Sequence, residues 1–218
     1  MVDPLKNGRT PEAQAVRLER VLVVAGELAS AGGYEAVHMR EVAKLAEISL
    51  STLYRYYPSK DYLIKDVVRD ELVRLRSDII SRFPTQRSPH ERAANVLVRA
   101  FRGVRRDGER GFAHAAMSVD RMPLSLDAPY TRHLGIDLMD IMKLAAWGEE
   151  HRISKTQYQA LDMLQALWSS NVVAWLDGGL SIADVDDRLR VAARRLIEPV
   201  SDSPPILNAD KANRPVSS

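Results

Sequence analysis

Between residues 49 and 60 the chain sets out Ser49, Ser51, Thr52, Tyr54, Arg55, Tyr56 and Lys60. Hydroxyls and phenols hydrogen-bond phosphate oxygens or base edges, and an arginine can bridge guanine or phosphate. The spacing suits a short helix over about 50–57, capped by Ser49, whose first backbone N–H groups stay free to meet phosphate. Lys60 lies just beyond, at the start of the next helix, where a cation can meet backbone phosphate. Leu50 is expected on the surface, where it either touches a thymine methyl or covers the turn. Tyr57 is expected in the core. Tyr54 and Tyr56 are expected on the nucleic-acid side, against the plainer alternative that they too are core aromatics.

Such a helix must be held by its neighbours. Val16, Val21, Leu22, Ala25, Leu28 and Ala29 recur at helical spacing over about 12–30, and Gly32-Gly33 is expected to end that helix. A short helix follows over about 39–46, with Val42 and Leu45 facing inward. Val42, Leu45 and Leu53 hold the unit from inside, and Ile48 sits at the turn. Two short helices braced by a longer one are the helix-turn-helix arrangement, whose second helix enters the major groove. Pro58 breaks the chain and Ser59 can cap a longer helix. That helix sets Leu63, Val67, Leu72, Leu75 and Ile79 on one face, and Lys65, Asp66, Arg69, Asp70 and Arg74 on a solvated one.

Composition narrows the class. The 218 residues carry a formal net charge of +2 and no cysteine. Disulfides and thiolate chemistry are excluded. A protein that coats nucleic acid by charge alone should show a large positive excess, so any DNA contact must be local. The first residues, MVDPLKNGRTPEAQAVR, lack the apolar stretch of a signal peptide. No apolar run approaches the roughly 20 residues of a membrane span. A cytoplasmic protein is expected. No catalytic motif occurs: there is no G-x-S-x-G, no phosphate loop and no G-x-G-x-x-G. The histidines, His38, His90, His114, His133 and His151, are scattered. His133 and Asp137 share a helix face, but two ligands do not make a metal site. Neither a metal nor a cofactor is expected.

Arg82 to Pro89 reads as a linker. It divides the chain into a DNA-binding unit over 1–83, a helical unit over 84–198, and a proline-rich tail over 199–218 expected to be disordered. The helical unit has expected helices near 89–106, 109–120, 128–147, 155–177 and 182–197, so the fold class is all-α. Pocket candidates are Phe101, Phe112, Met117, Met122, Leu138, Met142, Trp147, Leu164, Trp168 and Asn171. Methionines and aromatics make an adaptable apolar lining, although at helical spacing most such residues are plain core. Asn171 on a mostly apolar helix needs a partner, in the pocket or across a dimer. Arg102, Arg105, Arg106, Arg110 and Arg121 either greet an anionic group or form a solvated face. Leu161, Leu164, Leu167, Val172, Trp175, Val185, Leu189, Ala192 and Leu196 supply the apolar surface expected to join two copies into a four-helix bundle.

The stretch GGYEAVHMREVAKLAEISLSTLYRYYPSKDYLI, Gly32 to Ile64, closely resembles the DNA-binding region of TetR-family regulators. The resemblance rests on Arg40, Ser49, the run Ser51-Thr52-Leu53-Tyr54, the pair Tyr56-Tyr57, and Ser59-Lys60. It implies that Arg40 reaches base edges or phosphate from the first motif helix. It also implies that Ser49, Thr52, Tyr54, Tyr56 and Lys60 contact phosphates, with Leu50, Ser51 and Arg55 nearer the bases. Ser51 stands where the family usually has glycine, and His38 where a threonine commonly caps the helix. The stretch Leu164 to Ile197 further resembles actinobacterial repressors of cholesterol and steroid catabolism, which implies a coenzyme A thioester as ligand. The expected protein is a ligand-released repressor that binds a palindromic operator as a homodimer. The alternatives are an activator, a ligand-independent DNA-binding protein or, further off, an all-helical enzyme.

Overall fold

The computed structural model describes residues 11–82, 88–105, 110–120 and 134–197. Among them the chain is all helix: α1 (Pro11–Ala36), α2 (Met39–Leu45), α3 (Leu50–Tyr56), α4 (Lys60–Ser81), α5 (Pro89–Val104), α6 (Gly111–Asp120), α7 (Leu134–Trp147), α8 (Lys155–Leu176) and α9 (Ile182–Ile197). The expected all-α class, a small helix-turn-helix unit followed by a larger helical part, is the one that forms. The expected start of the seventh helix at 128, the linker core 83–87 and the tail from 198 lie outside the described residues. No helix among the described residues is long and apolar enough to cross a membrane.

Gly32-Gly33 breaks the first helix without ending it. Gly33 takes φ 72°, in the left-handed region that favours glycine, and Gly32 takes φ −148°. The chain then resumes for one turn that carries Tyr34. In α2, Val42 and Ala43 are buried, but Leu45 is 50% exposed, against expectation. The inward i+4 neighbour of Val42 is Ala46, which is fully buried. Its small side chain closes the seam and leaves Leu45 outside. On α3, Leu53 is fully buried, and Tyr57 follows it into the core. The Tyr57 side chain hydrogen-bonds Asp66 of α4.

The cap of α4 is as expected, with Ser59 accepting from the Asp61 N–H at 3.3 Å. Leu63, Val67 and Ile79 are buried, with Leu72 and Leu75 packed partly against them. The expected solvated face is not uniform, because Lys65 is buried. Its flank of α4 is covered by α6. Burial pushes the Lys65 ammonium down, while the Asp120 and Asp61 carboxylates pull the other way.

In the larger unit, Phe101 of α5 is fully buried and meets Trp175 of α8 edge-on at 5.3 Å. Two arginines close helix C-termini, whose last carbonyls lack partners within the helix. Arg92 donates to Ala145 O at 2.7 Å and Ala146 O at 2.6 Å. Arg110 donates to Leu176 O at 3.1 Å. Ser154 and Gln157 cap α8 reciprocally, at 3.1 and 2.8 Å. One apolar core runs through both units. Helix α6 lies along α1 and α4. Its first residue, Gly111, sits so close to α1 that an added Cβ would stand 2.2 Å from Ser30 O.

Candidate nucleic-acid interface and cavity

The turn between α2 and α3 positions the reading helix. Glu47 holds φ 55° there, and its carboxylate takes the Arg20 guanidinium of α1 at 2.8 Å. Ser49 caps α3 by accepting from the Thr52 N–H at 3.1 Å. Its hydroxyl also lies 3.0 Å from Ser51 Oγ and 2.7 Å from Thr52 Oγ1. The three hydroxyls therefore form one cluster at the start of the helix, where backbone N–H groups and the helix dipole favour phosphate. Tyr54 is 48% exposed and Arg55 is exposed. The Arg55 guanidinium lies 5.2 Å from the Tyr56 ring and donates to its hydroxyl at 3.4 Å. Leu50 is half-buried against the core rather than free on the surface.

Arg40, Tyr54 and Lys60 come from three different helices, α2, α3 and α4, yet they line one open recess together with His38 and Ser59. The Lys60 ammonium sits 3.7 Å from the Tyr34 ring centroid and donates to Tyr34 O at 3.3 Å. It is thus pre-positioned rather than waving in solvent. His38 is a residue on the rim of this recess that the sequence-based set of site residues leaves out. It occupies the N-cap position of α2 but makes no side-chain cap bond. The available signal was an imidazole at a site that prefers a hydroxyl or carboxylate.

A cavity of about 480 Å³ opens between α4, α5, α6, α7 and α8. Phe112, Met117, Leu138 and Trp168 line it, as do Leu72, Leu75, Ala100 and Ala116. Trp168 is fixed by donating its Nε1–H to Leu97 O at 3.0 Å. The other pocket candidates fall elsewhere. Phe101, Met142 and Leu164 are solid core. Trp147 stacks on His151. Asn171 donates to Leu167 O of its own helix at 2.7 Å. Met122 lies outside the described residues.

The expected arginine cluster is dispersed. Arg110 caps α8, Arg105 lies over the Phe101 ring, and Arg102 is the one of the three described that lines the cavity. Arg106 and Arg121 are outside the described residues. Glu71, Arg74, Asp78, Arg99, Asp120 and Gln165 complete the polar lining. His133 is also outside the described residues, among which no group of three or more acidic or histidine side chains could hold a metal ion.

The surface expected to join two copies needs correction. Leu161, Val172, Trp175, Val185 and Leu189 are buried within the chain's own core, as is Leu164, and Ala192 and Leu196 are half-buried. A residue already closed by its own fold has no area left for a second copy. Leu167 alone of the set is open, at 41% exposure. The large apolar side chains left exposed on these two helices are Tyr158, Met163 and Leu167 on α8 and Ile182 and Val191 on α9. Met163, Leu167, Ser170 and Ala174 follow one another at four- and three-residue steps, one stripe of a helix.

Residues 21–67 match the family model described as bacterial regulatory proteins of the tetR family. The chain is 32% identical over 195 residues to the HTH-type transcriptional repressor KstR of Rhodococcus jostii, covering 85% of this chain and 84% of that protein. It is likewise 32% identical over 196 residues to the HTH-type transcriptional repressor KstR of Mycobacterium tuberculosis, covering 85% and 83%. The crystal structure of a TetR transcriptional regulator from Rhodococcus sp. RHA1 superposes with a TM-score of 0.76 at 32% identity, over 86% of this chain and 99% of that one.

Proposed function

Within the tetR family of bacterial regulatory proteins, to which this chain belongs, we propose a repressor that grips a palindromic operator as a homodimer and is released by an amphipathic effector. The chain is a transcriptional regulator and not an enzyme. The observation that carries the DNA reading is the recess where Arg40, Tyr54 and Lys60 converge beside the hydroxyl cluster of Ser49, Ser51 and Thr52. Ser49, Thr52, Tyr54 and Lys60 hold phosphates there, while Arg55, Ser51 and Leu50 lie nearer the bases, with Tyr56 steadying Arg55. Residues 1–83 act as the reading unit and residues 84–198 as the effector and dimer unit.

The effector fills the cavity beside Phe112, Met117, Leu138 and Trp168. A steroid or acyl coenzyme A thioester fits the apolar lining and the resemblance of Leu164 to Ile197. Two copies meet through the exposed stripe of α8 and the outer face of α9. The cavity is walled by α4, which begins at Lys60 of the recess. An effector that binds one placement of α4 more tightly therefore shifts the spacing of the two reading helices. The shift is limited by its differential affinity for the two placements.

The test uses DNA fragments selected by the protein from a random pool. Arg40→Ala and Tyr54→Ala should each weaken binding by about tenfold while leaving the oligomeric state unchanged. Unchanged DNA affinity in both variants would overturn the reading surface. Steroid and acyl coenzyme A thioesters are then added to the complex. Failure of every one to release DNA would overturn the effector assignment.

A further inference from the structure

Arg99 stands on the cavity wall where α5 faces the last turn of α4, and its guanidinium pairs with the Asp78 carboxylate. One turn along α5, Arg102 lines the same cavity, with Asp186 of α9 at 3.9 Å. That second pair is loose, since Asp186 Oδ1 is buried with no hydrogen-bond partner. The remaining arginine of the lining, Arg74, is held on its own helix by Asp70 at 2.7 Å and Glu71 at 3.6 Å. Asp120, the other carboxylate of the wall, accepts from Ser169 and faces Lys65. Arg99 and Arg102 are thus the lining cations whose counter-ions come from other helices. The rest of the lining is mainly apolar, with Glu71, Asp120 and Gln165 as its other polar groups.

We propose that Arg99, assisted by Arg102, anchors the anionic headgroup, carboxylate or phosphate, of an otherwise apolar effector, and that Asp78 is the anion holding Arg99 while the cavity is empty. The proposal rests on the effector reading above and adds which end of the molecule is recognised, and by what. A guanidinium at a partly desolvated rim binds oxyanions in a two-pronged geometry that an ammonium does not reproduce. An arriving headgroup replaces one carboxylate by another oxyanion, so Arg99 is paired in both states and no buried charge is stranded. Asp78 is therefore a competitor of the ligand, although it stabilises the empty protein. The two halves of this ion pair must then act on ligand affinity in opposite directions. A purely structural pair would move it in the same direction whichever half is removed.

The full-length protein is titrated calorimetrically with dodecanoate, dodecyl phosphate and dodecanol, each below its aggregation threshold. The wild type should bind an anionic probe about tenfold more tightly than dodecanol. Arg99→Gln should erase that preference and leave dodecanol binding unchanged. Asp78→Asn should tighten the anionic probe by about threefold, as expected for removal of a competing charge of modest strength. If Arg99→Gln does not fold, Arg99→Lys keeps the charge and should lose part of the preference. A stronger response to one of the two anions names the headgroup. Equal binding of all three probes overturns the anion site and leaves the effector cavity standing. Shifts of the same sign in the Arg99 and Asp78 variants also overturn it. No binding of any probe removes the cavity reading and the anion site together.

Discussion

The Tyr34 hydroxyl donates to Asp61 Oδ1 at 2.5 Å and ties the last turn of α1 to the first turn of α4. Burial first, and then this hydrogen bond to Asp61, push the phenol from 10.0 up to about 12. A folded-state value above the unfolded one means that the stabilisation is complete below pH 10 and is lost as pH rises through 12. Tyr34→Phe should lower stability at pH 8 by about 1–2 kcal/mol. It should also remove the extra alkaline loss above pH 10 that the wild type shows. Urea unfolding over a pH series measures both effects.

Glu47 is the one non-glycine residue with positive φ among the described residues. A left-handed conformation costs an ordinary side chain roughly 1–2 kcal/mol, whereas an exposed ion pair such as Arg20–Glu47 contributes about 0–1 kcal/mol. The backbone term should win. Glu47→Gly is expected to be at least as stable as wild type, and Glu47→Ala, which keeps the strain and loses the pair, less stable by about 0.5 kcal/mol. Thermal unfolding of the two variants decides it; a Glu47→Gly protein less stable than Glu47→Ala would refute the ranking.

Two glycines should respond oppositely to the same substitution. A Cβ at Gly111 would stand 2.2 Å from Ser30 O and 2.7 Å from Ala29 O, so α6 must move off α1. Gly111→Ala should cost about 2 kcal/mol or more, within the range of overpacked sites. Gly103, inside α5, has nothing within 4 Å of an added Cβ. Gly103→Ala should stabilise by about 0.5–1 kcal/mol through helix propensity. Denaturant midpoints for both variants give the comparison.

Leu167→Glu should dissociate the dimer without unfolding the chain, because the side chain is 41% exposed in the single copy. Leu161→Ala, at a side chain only 1% exposed, should instead cost about 2–5 kcal/mol of folding stability. Sedimentation and far-ultraviolet circular dichroism separate the two outcomes. A Leu167→Glu protein that stays dimeric would move the interface away from this stripe of α8.

Much of the reading unit was legible because its cues are local. Ser49 and Ser59 announce caps, and Leu53 and Tyr57 fall one helical step apart. The failures share a cause. Periodicity tells which residues share a face, not what that face meets. Leu161, Val172 and Trp175 form a true apolar stripe on α8, but the chain's own core takes it, and Met163 and Leu167 stay exposed. Leu45 ends a seven-residue helix and Ala46 is its C-cap, a span too short for periodicity to choose between them. Lys65 reads as solvated until α6 is laid across it. The cavity was legible in kind and only partly in place. A void follows from how far apart helix axes lie, which residue type does not encode, so Phe112 lines it while Phe101 is packed solid. Arg99 left one trace in the sequence, its three-residue spacing from Arg102 in the mostly apolar second half of α5.

The contact of Gly111 with the carbonyl of Ser30 joins the two halves of the molecule through main-chain atoms. At its closest point that joint admits no side chain, while the apolar core around it is continuous through both halves. On the proposed division of roles, the reading half and the effector half can be exchanged separately, provided glycine is kept at that one seat. A chimera that splices the reading half of a relative onto this effector half should inherit working mechanics together with a new address.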